Sequence, residues 1–130
     1  MLQGSCLCGA VRVEVDGALE FPAEACHCRQ CRKQTGHFFA GVPVRREALT
    51  VHGAEKVTWY RSSEKVRRGF CAVCGSTLFW DPLVGGDRHI GVLMGVFDTP
   101  TGTRIAKHTF VVDKGDYYDI TDGAPQREGF

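Results

Sequence analysis

Val11, Val13 and Val15 alternate with Arg12 and Glu14, the period-two pattern of a strand with one buried face, and Asp16-Gly17 supplies a turn to end it. Residues 25–28 read as a second extended segment. Residues 29–35 are mostly long and polar and Gly36 stands where a helix would stop, so a helical turn or two is expected there. β character resumes over 38–44 and is expected to hold up to Pro43; 49–51, 57–60 and 66–70 are further short strands, separated by turns at His52-Gly53 and Ser62-Ser63. A strand over 78–80 follows, and 90–97, the longest apolar run, reads as a central strand too short to span a bilayer. Residues 110–112 and 117–120 read as late strands or extended segments, and the tail after Asp122 as surface. Many short strands at close spacing predict a mainly β chain, and 130 residues without repeats or linkers predict a single domain over 1–130.

Composition changes this picture little. Hydrophobic residues at 43% and charged residues at 24% are ordinary for a soluble globular protein. A formal net charge of +1 gives no global field towards nucleic acid or an anionic membrane, so either role would need a local patch. The stretch Met1-Leu2-Gln3-Gly4-Ser5-Cys6 has neither the basic nor the apolar region of a secretion signal, which predicts a cytoplasmic protein. Thiols stay reduced there, so clustered cysteines are expected to be metal ligands or catalytic groups rather than disulfides.

Seven cysteines divide into a pair, Cys6 and Cys8, a triplet, Cys26, Cys28 and Cys31, and a second pair, Cys71 and Cys74. On extended backbone, residues two apart face the same way, so the sulfurs of Cys6 and Cys8 can reach one ion. Cys71-Ala72-Val73-Cys74-Gly75 has the spacing of a zinc knuckle, with the glycine allowing a tight turn and an amide free to point at a sulfur. The two pairs together make a closed four-thiolate site. The triplet leaves a tetrahedral ion one ligand short, as in zinc sites that do chemistry. A fourth ligand from His27, His37, His89 or His108 would close it and make it structural; His27 is the poorest candidate, because on an extended segment it faces away from Cys26 and Cys28.

Gly4-Ser5-Cys6-Leu7-Cys8-Gly9-Ala10-Val11, Cys26-His27-Cys28-Arg29-Gln30-Cys31 with Gly36, and Arg68-Gly69-Phe70-Cys71-Ala72-Val73-Cys74-Gly75-Ser76 together resemble the glutathione-dependent formaldehyde-activating family. His108-Thr109-Phe110-Val111, Lys114 and Asp122-Gly123-Ala124-Pro125-Gln126 are similar to its closing motif, with Tyr117 standing where tryptophan is common. The resemblance implies a β-tent of packed antiparallel sheets with two zinc ions. It assigns Cys6, Cys8, Cys71 and Cys74 to a structural ion, and Cys26, Cys28 and Cys31 to a catalytic one. The activity it implies joins glutathione to formaldehyde, giving S-hydroxymethylglutathione, a carbon-sulfur lyase reaction when written backwards.

Three thiolates donate much charge to zinc, which makes it a weak generator of hydroxide and suits it to taking a further sulfur. A thiolate held there can add to a neighbouring aldehyde carbon. Glutathione carries two carboxylates, so cations are expected to bind it: Arg29, Arg32 and Lys33 directly after the triplet, and Arg45, Arg67 and Arg68 from neighbouring strands. The main rival is a non-catalytic zinc-binding β domain serving as a scaffold or a thiol or metal sensor. A nucleic-acid-binding zinc ribbon is disfavoured by the near balance of charges, and methionine sulfoxide reduction by the lack of a cysteine outside the metal sets.

Overall fold

The computed structural model describes residues 1–85, 87–98 and 100–130. Ten strands and one α-helix make up its regular structure: β1 (Leu2–Ser5), β2 (Arg12–Val15), β3 (Ala23–Cys26), α1 (Arg29–Thr35), β4 (Phe39–Arg45), β5 (Leu49–His52), β6 (Val57–Arg61), β7 (Val66–Cys71), β8 (Thr77–Pro82), β9 (His89–Leu93) and β10 (Ile105–Thr109). They form a three-stranded sheet, β1-β2-β5, and a seven-stranded sheet, β10-β3-β4-β9-β8-β7-β6. The chain is a mainly β tent of two packed sheets with a short helix after the central cysteines.

The valine alternation does what its period dictates. Val13 and Val15 of β2, with Val11 just before it, turn into a core shared with Val42, Val44, Phe79, Ile90 and Val92 of the large sheet. Burying a side chain of this kind is worth about 1.5–3 kcal/mol, so this layer is the main adhesive between the sheets. Register shows which residues face the other way. Arg68 lies opposite Trp80, Trp80 opposite Gly91, and Gly91 opposite Pro43, while Cys26 and Glu24 pair with Phe39 and Gly41. These residues share the face of the large sheet that turns away from the valine core.

Three expectations need correction. The apolar run 90–97 is not one strand: β9 ends at Leu93, and Met94–Val96 is a 3-10 turn that packs back on β1, where Gly4 bridges Phe97. Residues 110–112 are not a strand. Phe110 takes a left-handed conformation (φ 54°) and Val111–Asp113 is a 3-10 turn, which ends β10 sharply. β4 runs through Pro43 to Arg45, because its pairing with β3 stops at Gly41 and only β9 lies beside it from there, an edge position that tolerates a missing N–H. All strand pairs are antiparallel except β3 with β10, and residues 117–120 form no regular element. Among the described residues no helix is long and apolar enough to cross a membrane.

Candidate functional site

The two cysteine pairs meet where β1 and β7 end. Cys6 follows β1, and a turn closed by the Gly9 amide on the Cys6 carbonyl (3.2 Å) swings Cys8 back, so it is a turn rather than extended backbone that brings these sulfurs together. Cys71 ends β7, and the Gly75 amide caps its carbonyl at 2.8 Å; amides aimed at sulfur include those of Val11, 3.3 Å from Cys6, and Val73, 3.4 Å from Cys71. The Cys6 and Cys8 sulfurs are 3.7 Å apart and those of Cys8 and Cys71 3.9 Å. Four sulfurs at about 2.3 Å from one ion would stand about 3.8 Å apart, so this donor set fits a tetrahedral thiophilic metal without rearrangement. The Ser76 hydroxyl and amide hold Cys74 down to about 5, readying it as a thiolate ligand.

The triplet is built at a strand-to-helix junction. Cys26 ends β3, Cys28 is the N-cap of α1 and accepts the Cys31 amide (3.4 Å), and Cys31 is buried in the first turn of the helix. Gly36, in the left-handed conformation at φ 86°, ends α1 by giving its amide to the Arg32 carbonyl. The three sulfurs lie within 4.8 Å of one another. In such a cluster one thiolate accepts the protons of its neighbours: Cys26 and Cys31 draw Cys28 down to about 2, and Cys31 is raised by Cys26 and Cys28. A soft divalent ion displaces the remaining protons from a set of this kind. Arg68, buried in β7, adds charge compensation, with its two terminal nitrogens 3.5 and 3.6 Å from the Cys31 sulfur and Nε 3.3 Å from the Ser62 hydroxyl. Among the described residues no carboxylate pairs with Arg68; a Cys31 thiolate formed on binding a metal would be its counter-charge.

No histidine or carboxylate joins the triplet among the described residues. His27 is fully buried and faces away from the sulfurs. Its Nε2 is 2.9 Å from His108 Nδ1, its Nδ1 is 2.5 Å from the Tyr118 hydroxyl, and His108 Nε2 is 2.9 Å from the Asp122 carboxylate. With both rings neutral every bond is satisfied in one direction: Tyr118 donates to His27, His27 to His108 and His108 to Asp122. Desolvation holds His27 down to about 4, which keeps that pattern at neutral pH. His37 bonds the Tyr117 hydroxyl and His89 the Glu20 carboxylate. The His108 and Asp122 partnership was within reach of the sequence, since both stand in the closing motif; its link to His27 was not, because it spans 81 residues of chain.

The triplet opens into a cavity of about 490 Å³, and the four-sulfur cluster does not border it. Of the cations expected around the triplet, Arg29 and Arg68 line this cavity. Arg32 turns to the Asp113 carbonyl (3.2 Å), and Lys33 is exposed to solvent; neither lines it. Arg45 pairs with Glu20 and Glu47, and Arg67 binds Asp81 at 2.7 Å while lying 3.9 Å over the Trp59 ring.

A tent of two sheets carrying one four-sulfur and one three-sulfur cluster, each suited to a metal ion, defines a β-tent protein with two candidate metal centres. The chain belongs to the glutathione-dependent formaldehyde-activating enzyme family, whose sequence profile matches residues 1–113. It is 37% identical over 90 residues to a Halomonas elongata protein named for that activity, a match covering 63% of this chain and 57% of that protein's length. A Schizosaccharomyces pombe protein named an uncharacterized lyase is 27% identical over 121 residues, 92% of this chain and 85% of that one. A Rhodobacter sphaeroides protein of known crystal structure superposes with a TM-score of 0.63 at 28% identity, covering 77% of this chain and 91% of its own.

Proposed function

We propose that this chain is a zinc-dependent enzyme of the carbon-sulfur lyase kind, adding a small thiol such as glutathione to formaldehyde or a related small aldehyde. In this reading Cys6, Cys8, Cys71 and Cys74 hold a structural zinc, and Cys26, Cys28 and Cys31 hold a catalytic one. Family membership and the names of the Halomonas and Schizosaccharomyces relatives support it. The observation that carries it is the asymmetry of the two clusters: the three-sulfur set borders the cavity and the four-sulfur set does not.

Zinc at the triplet would supply a soft cation that lowers the pKa of an incoming thiol. The chain's own residues do the rest. α1 and β3 fix the three donors from two sides, and Arg68 balances the charge that Cys31 brings to a buried position. The cavity walls hold thiol and aldehyde together, which replaces a bimolecular encounter by a local one. The sulfur lone pair forms the carbon-sulfur bond, the carbonyl π pair moves to oxygen, and that oxygen takes up the proton the thiol gave to solvent. The sum is thiol plus aldehyde giving hemithioacetal, with no oxidant or reductant. Arg29, at the cavity wall, is placed to meet an anionic group on the thiol.

Exchange NMR with labelled formaldehyde and glutathione tests this directly. We expect the wild type to raise the exchange rate above the uncatalysed one and Cys28→Ser to return it to that baseline. Rates for both proteins that match the uncatalysed one would remove the enzymatic reading and leave the zinc-binding scaffold or sensor in its place.

A further inference from the structure

The cavity has an aromatic floor. Trp80 lies opposite Gly91, and a Cβ on that glycine would stand 3.1 Å from the Trp80 Cβ; a Cβ on Gly41 would run into the Phe39 ring. Both glycines therefore sit where an aromatic side chain covers the strand, and the two rings border the same space as Cys26 and Cys28. Phe110 and Phe130 add a second apolar wall, packed edge to face with centroids 4.9 Å apart. Surfaces of this kind take an apolar body against their faces.

Among the described residues, the charges around the floor offer one free cation. Arg68 is committed to the Cys31 sulfur and His89 to Glu20, which leaves Arg29 as the one lining cation with no partner among the described residues. Three carboxylate residues, Glu24, Asp87 and Asp113, line the same cavity. Glu24 is offset by Lys107 at 3.4 Å, whereas Asp87 accepts only a backbone amide at 2.9 Å among the described residues. A thiol with two carboxylates would find one free arginine and leave its second carboxylate unmatched, a deficit that the ammonium of glutathione offsets only in part, and an unmatched charge of that sort discriminates between ligands.

We propose that the thiol partner of this site carries an apolar body of aromatic size, seated on Phe39 and Trp80, and at most one anionic group, met by Arg29. The proposal rests on the triplet being the thiol-taking centre and sharpens that reading, since it places glutathione below aryl thiols in preference.

The test compares 2-phenylethanethiol, 2-mercapto-3-phenylpropanoate and glutathione on the zinc-loaded protein. Calorimetry measures binding of each thiol without aldehyde, and formaldehyde exchange measures turnover. Both aryl thiols are expected to bind and to react with kcat/KM at least about tenfold above glutathione, a margin that one well-matched apolar contact can supply. Trp80→Ala should narrow that margin, and Arg29→Ala should weaken the monocarboxylate relative to the neutral aryl thiol. Turnover with glutathione equal or preferred overturns the proposal while leaving the enzymatic reading intact. Tighter binding of the aryl thiols with no turnover of any thiol upholds the pocket's specificity and removes the enzymatic reading. Failure of the aryl thiols to bind overturns the proposal outright.

Discussion

Arg68 is the residue whose role the chain conceals most. It stands in an unremarkable Arg67-Arg68 pair, yet it is buried with its guanidinium on a sulfur 37 positions away, while its neighbour pairs with Asp81 at the other face. Alternation along β7 separates the two side chains, but only the fold says which side holds the cysteines. We predict that Arg68→Lys, which keeps the charge but loses the two-pronged contact, lowers zinc affinity at the triplet about 10–100-fold, as loss of a supporting partner does in metal sites. Competition with a chromophoric chelator would measure it, and the four-sulfur site should be unaffected. His27 was more legible, because the period of extended backbone already turned it away from Cys26 and Cys28. Its burial has a pH consequence. The unfolded chain takes up a proton on His27 near pH 6.5 and the folded chain only near 4, so stability falls as pH drops through that window, by roughly 3 kcal/mol at most. NMR titration of the His27 ring should find its midpoint near 4; a midpoint at or above 6.5 would contradict the neutral chain from Tyr118 to Asp122.

At the scale of elements, what could be read was what local chemistry decides. The polar run 29–35 and Gly36 gave α1 with its bounds, because a left-handed cap is written in one residue. β1 and β10 were missed, since Leu2–Ser5 and Ile105–Thr109 each hold a single large aliphatic side chain and owe their place to partners far along the chain. The run 90–97 was read too long for the opposite reason: hydrophobicity reports burial, and Val96 in the 3-10 turn and Phe97 after it are buried as well as the strand. That turn explains Gly4. A Cβ there would overlap the Val96 carbonyl, so Gly4→Ala should push β1 away from the turn and cost about 1–3 kcal/mol, the usual range for overpacking. Urea unfolding of the variant would show the loss as a lower midpoint with an unchanged slope.

Across the whole molecule, in the proposed reading, the sulfur sets divide the labour between stability and chemistry. The four-sulfur set brings the end of β1 in the small sheet to the end of β7 in the large one, so a metal there would cross-link the two sheets, and its binding free energy would become folding free energy. Cys71→Ser should therefore lower the melting temperature sharply, whereas Cys28→Ser should leave the melt close to wild type in circular dichroism. The grouping of the sulfurs into four and three was legible from spacing alone, because pairs and triplets of cysteines carry their geometry with them. The cavity was not, since its walls come from α1, β3, β4, β7, β8, β9 and β10 and from the Phe110–Phe130 contact, and no local pattern predicts that assembly.

The central claim is that the triplet can accept a sulfur from outside the chain. Its most direct measurement is the absorption of the cobalt-substituted protein during titration with 2-phenylethanethiol or glutathione. We predict that the sulfur-to-cobalt charge-transfer band grows and saturates in the wild type and stays constant in Cys28→Ser. A wild-type band that does not respond to either thiol would contradict the account.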